Sequence, residues 1–145
     1  MGIFRKAYSI FGAILMLQFL AQLYFMAATV FTIISADDNA KSVYAAFRNA
    51  DSFAGLHAID GYLVGLNLLI MLGLSFGARY PRRVSIMTGV LFLLLLLQIL
   101  LARVPVPALA ALHGVNAIAM IGLGGFLVGR TWAFGGRAEV GEVPS

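Results

Sequence analysis

Four long apolar runs, at about residues 7–35, 53–76, 84–101 and 107–128, fill most of the sequence and leave only short stretches between them. A run of about 18 or more apolar residues can cross the roughly 30 Å hydrocarbon core of a bilayer as a helix. A helix also satisfies its backbone hydrogen bonds internally, which lipid requires because it offers no water to do so. Each run is therefore predicted to be a transmembrane helix. Composition agrees, with 61% hydrophobic and 11% charged residues and a mean hydropathy of +0.96, against about 45–50% apolar and 25% charged in soluble domains. The first run far exceeds the roughly 7–15-residue core of a signal peptide, so it reads as a retained span. At about 1.5 Å of rise per residue it is longer than the hydrocarbon core and is expected to tilt or project.

The connections set the topology. Residues 36–52 (ADDNAKSVYAAFRNADS) are polar, with Val43, Tyr44 and Phe47 on one helical face, which predicts a short amphipathic piece on the membrane surface. The other two links, GARYPRR and ARVPVP, are short and favour antiparallel neighbours. The expected fold class is an all-α membrane protein, an antiparallel four-transmembrane-helix bundle forming one domain over residues 1–135, with a disordered polar tail at 136–145. Arg5, Lys6, Arg79, Arg82, Arg83, Arg130 and Arg137 fall on one side, and Asp37, Asp38, Lys41, Arg48, Asp51 and Arg103 on the other. Basic loops stay inside, so the expectation is a bacterial inner-membrane protein with both termini cytoplasmic. The net charge of +4 is split among these clusters and forms no nucleic-acid-binding face. The absence of cysteine excludes disulfides, thiolate metal sites, iron–sulfur ligation and covalently attached haem.

An internal repeat centres on the two histidines. AGLHAIDG at 54–61 matches AALHGVNA at 110–117, so spans one and two, and spans three and four, read as duplicated hairpins related by an axis along the membrane normal. His57 and His113 then lie level, about 7–9 Å below the outer boundary of spans two and four at 1.5 Å per residue. With neighbouring helices about 8–10 Å apart, diagonal ones are roughly 11–14 Å apart, a gap that two inward imidazoles and one metal atom fill. The pattern predicts a b-type haem with His57 and His113 as axial ligands. Gly61 and Ala117, one turn on from each histidine, leave room for a flat macrocycle, and Arg103 and Arg48 are candidate partners for its propionates. Each ligand's other ring nitrogen is expected to donate to a carbonyl of the preceding turn.

Competing readings attach to the same residues. A single histidine near a helix end is more often an interfacial polar group than a ligand. Asp60, with Asn116 as its repeat counterpart, is the one acid inside a span and is expected to face the bundle interior or a proton path. His57, Asp60, His113 and Asn116 could together hold zinc or another divalent ion. Gln22 and Gln98, with Gln18 and Asn67, read as interhelical hydrogen-bond glue that could touch the histidine layer. The glycines, including Gly114 and the GLGG of span four, read as sites of close helix approach and not as a phosphate loop.

LQFLAQLYF, FAGLHAIDGYLVGLNLL, TGVLFLLLLLQILL and LHGVNAIAMIGLGGFLVGR, with their LHxxxG and LHxVNA elements, resemble a family of small bacterial four-helix membrane proteins of unknown function. The resemblance implies four spans and both histidine positions, and no activity. In architecture and paired histidines the chain also looks like four-helix membrane cytochromes b, an analogy of fold. The leading expectation is a haem-b electron-transfer protein of the bilayer, partnered by a quinone or a larger membrane redox complex. The alternatives are a cofactor-free accessory subunit and a small transporter with Asp60 in its path.

Overall fold

A computed structural model describes residues 2–39 and 42–134; the predicted tail at 136–145, Arg137 and Lys41 lie outside the described residues. The chain forms α1 (Gly2–Asp38), α2 (Val43–Gly77), α3 (Arg82–Leu101), α4 (Pro107–Ala110) and α5 (Leu112–Thr131), with no strand among the described residues. Four segments are long and apolar enough to cross a membrane: α1, α2, α3 and the Pro107–Thr131 unit formed by α4 and α5. The protein is thus a multi-pass helical membrane protein of the lipid bilayer. α1 packs against α2 and α5, and α3 against α2 and α5. The result is a four-sided antiparallel bundle in which α2 and α5 stand on a diagonal, as the short links predicted.

The polar segment at 36–52 differs from its expected form. Its second half is the beginning of α2, continuous from Val43 to Gly77, and no separate surface helix exists among the described residues. Ser42 caps this helix by accepting the Ala45 N–H, and Ala46 and Ala50 are buried together with Ala36 of α1. Small residues facing one another let the two backbones approach closely, so the helix continues along α1 while Tyr44 and Phe47 stay exposed. α1 likewise starts earlier and ends later than the predicted span. With 37 and 35 residues against 20 in α3, the α1–α2 hairpin outruns α3 by about 20 Å at 1.5 Å per residue.

That surplus all lies at one end, because polar contacts tie the four helices together at the other. Tyr8 Oη and Thr88 Oγ1 are 2.7 Å apart, joining α1 to α3. Ser9 donates to the Thr131 carbonyl at 2.9 Å and accepts the Ala133 N–H at 2.9 Å, joining α1 to the end of α5. Tyr80 donates to the same Thr131 carbonyl at 3.2 Å, and Arg5 lies 5.1 Å above its ring. Burial pushes the Tyr80 phenol above its usual pKa, with the Arg5 charge acting against that rise. α2 stops at this end because Arg79 takes φ 50°, a left-handed turn residue, and Pro81 precedes α3 without a side-chain cap.

The core is a column of Tyr8, Leu15, Phe19, Val64, Leu68, Met71, Leu91, Leu95, Met120 and Leu127. Most other large apolar side chains point outward, with Ile118 72% exposed, as expected where lipid replaces water around the bundle. Lipid gives apolar helices no reason of their own to associate. The Gln18–Asn67 hydrogen bond of 2.7 Å, on a nearly buried Asn67, therefore acts as the interhelical glue expected of these residues.

Candidate functional site

A cavity of about 580 Å³ opens between the diagonal helices, walled by His57 and Gly61 of α2, His113 and Ala117 of α5, Gln22 of α1 and Gln98 of α3. The histidines come together as the repeat predicted: their ring centroids are 6.3 Å apart, with 52° between the ring planes. Both are half-buried. Each lies on a different diagonal helix, so the rings approach across the bundle axis and not along one helix face.

The α1–α2 and α3–α5 pairs carry similar polar contacts. In the first, Gln22 Nε2 donates to Asp60 Oδ2 at 2.9 Å and to the His57 carbonyl at 2.8 Å. In the second, Asn116 Nδ2 donates to Gln98 Oε1 at 2.6 Å and to the Leu94 carbonyl at 2.9 Å. A glutamine on the odd-numbered helix thus meets the residue three positions after each histidine. The donor sense reverses for a chemical reason. A carboxylate can only accept, so Gln22 presents its amide N–H to Asp60, whereas Asn116 can donate and takes the Gln98 oxygen.

The ring nitrogens are treated unequally. His113 Nδ1 is 3.0 Å from the Gln98 main-chain carbonyl. That oxygen can only accept, so Nδ1 carries the proton and Nε2 is left as the basic nitrogen. The acceptor comes from the last turn of the neighbouring helix α3, where the Gln98 carbonyl also accepts the Ala102 N–H, and not from the preceding turn as expected. His57 Nδ1 is buried with no hydrogen-bond partner.

Arg103 lines the cavity, as one of the two predicted partners for an acidic ligand group. Arg48 does not. It stands nine positions before His57 in the continuous α2, about 13 Å further out at 1.5 Å per residue, and its guanidinium lies 5.5 Å over the Tyr44 ring. The Arg48 expectation rests on its place in an outer loop, and the continuous α2 moves it away from the cavity.

The small residues leave space as expected: a Cβ at Gly61 would meet only Gln22 Nε2, at 3.9 Å. Gly114 departs from its expected role in helix approach, since nothing lies within 4 Å of a Cβ built there and it is part of the cavity wall. The four-ligand zinc reading fails. No group of three or more His, Cys, Asp or Glu among the described residues could hold a metal ion, and Asp60 and Asn116 are occupied by the glutamines. Met26 of α1 also lines the cavity and was missed, although Leu15, Phe19, Gln22 and Met26 follow the spacing of one helical face.

Because His113 bonds the main chain of residue 98, Gln98→Ala is expected to keep that contact and to lose only the Asn116 amide bond. The expected cost is about 0.6–2 kcal/mol, measurable as a lower thermal midpoint in detergent micelles.

No curated protein and no solved structure matches the chain. Residues 44–105 match the model of a family of unknown function (DUF6220), a stretch that includes His57, Asp60, Gln98 and Arg103 and stops before His113.

Proposed function

We propose that the protein binds one haem b between His57 and His113 and serves electron transfer in the membrane. The observation that carries the proposal is the 6.3 Å separation of the two rings. With a metal–imidazole bond of about 2.0–2.1 Å, rings so spaced would leave room for one metal atom between them. Three further features support the fit. The His113 Nδ1–H is held by a carbonyl, which fixes the ring's tautomer and leaves Nε2 free to act as a ligand. Gly61, Gly114 and Ala117 give the cavity low walls. Arg103 stands within reach of an acidic substituent at its edge.

A haem bound here would supply one-electron chemistry. His57 and His113 would hold the iron, Arg103 would pair with a propionate, and Gln22 and Gln98 would fix the helices that carry the ligands. The basic clusters orient the shared end of the bundle to the cytoplasm, with both termini there, in a bacterial inner membrane. The site is then close to the outer face, and a single centre at that depth exchanges electrons with a quinone or with a membrane redox complex. The full chain, expressed with ample haem and purified in detergent, is expected to show Soret and α absorption bands that sharpen on reduction. A spectrum without a Soret band overturns the proposal.

A second reading, a cofactor-free accessory subunit, draws on the apolar side chains exposed on the projecting hairpin, Phe31, Tyr44 and Phe47. It predicts copurification with larger subunits and a chain indifferent to histidine substitution.

A further inference from the structure

We infer that the two histidines are unequal ligands: His113 is the fixed one and His57 the exchangeable one, so that a small neutral diatomic molecule can take the place of His57. This rests on the haem reading above and assigns the two sides of that site different work. The first observation is the ring hydrogen bond. His113 Nδ1 meets the Gln98 carbonyl at 3.0 Å, and the same carbonyl accepts the Ala102 N–H at 3.1 Å, which ties the ring to the backbone at the end of α3. His57 Nδ1 is buried and has nothing to bond. To offer Nε2 to iron, a neutral imidazole must carry its proton on Nδ1, and at His57 that proton would be buried without an acceptor. A ligand lacking such a partner binds about 10–100-fold more weakly.

The second observation is how the His57 segment is held. Gln22 grips the main-chain carbonyl of His57 and the carboxylate of Asp60, so the helix is fixed while the imidazole is not. The third is room: Gly61 leaves the space one turn below His57 open to within 3.9 Å of Gln22. The adjoining wall, with Leu23, Met26 and Ile99, is apolar and suits an uncharged ligand. The exchange is a simple substitution. The iron–nitrogen bond to His57 breaks, a bond to the incoming molecule forms, and His57 leaves as neutral imidazole with no electron or proton transferred.

Carbon monoxide is the probe, applied to the reduced, haem-loaded full chain in detergent. The expected result is a shift of the Soret band whose rate levels off with rising carbon monoxide, because departure of His57 limits it. In His57→Ala that plateau disappears and haem is retained, while His113→Ala binds haem at least about tenfold more weakly than His57→Ala. Far-UV circular dichroism and size exclusion, repeated on the glutamine variants of both positions, separate ligand loss from misfolding. A haem-loaded wild type whose reduced spectrum ignores saturating carbon monoxide overturns the assignment and leaves the haem proposal standing. So does equal haem loss from the two variants, or greater loss from His57→Ala. A wild-type chain that takes up no haem overturns both.

Discussion

The double variant His57→Ala/His113→Ala is expected to lose its Soret band completely while it still inserts into the membrane and remains helical. Neither histidine belongs to the buried core column. The His113 ring makes one hydrogen bond, to the Gln98 carbonyl, and that oxygen keeps its bond from Ala102 when the ring is gone. Losing such a bond costs about 1 kcal/mol. Removing His57 takes away a buried nitrogen that had no partner, which offsets part of the cost. The helices near the site are held by Gln22–Asp60 and Gln98–Asn116, which the variant leaves in place. Absorbance at the Soret maximum relative to protein, with a thermal melt followed by circular dichroism, checks both halves of the expectation. A retained Soret band would put the haem elsewhere, and a chain that fails to fold would make the histidines structural.

The sequence exposes this site because its determinants are one-dimensional. Run lengths give the spans, short links give the diagonal of α2 and α5, and the repeat at 54–61 and 110–117 puts both histidines at one level. What is not legible depends on helix rotation and on packing between distant residues. The polar string at 36–52 looks like a surface piece until Ala36, Ala46 and Ala50 are seen buried together. α2 is continuous through this stretch, which carries Arg48 away from the cavity. The sequence suggests that Gln22 and Gln98 act as glue near the histidines. It does not say that each meets the residue three after a histidine, nor that the His113 proton finds the end of another helix. The asymmetry between the histidines is invisible in sequence for the same reason, since both stand in similar small-residue contexts, AGLHAIDG and AALHGVNA, and the acceptor that distinguishes them is tertiary.

Substituting Gly12 is expected to have a large effect on the bundle itself, at a place remote from the site. A Cβ at Gly12 would lie 2.9 Å from Val128 Cγ2 and 3.6 Å from Met71 Cε, at the crossing of α1 and α5. The nearer atom cannot easily give way, because valine in a helix has one strongly preferred rotamer. The methionine terminus can move. In a bundle held by close packing, Gly12→Val therefore forces the two backbones apart, at an expected cost of about 1–3 kcal/mol, with Gly12→Ala showing a smaller effect of the same sign. Adding Val128→Ala to Gly12→Ala clears the blocking methyl, so the pair should recover part of the loss, as interacting neighbours do. Gly129 provides the contrast: nothing lies within 4 Å of a Cβ there, so Gly129→Ala meets no clash and gains helix propensity, up to about 1 kcal/mol. Thermal midpoints of the four variants in one detergent test this. If Gly12→Ala and Gly129→Ala shift the midpoint alike, close approach of α1 and α5 at Gly12 does not hold this bundle together.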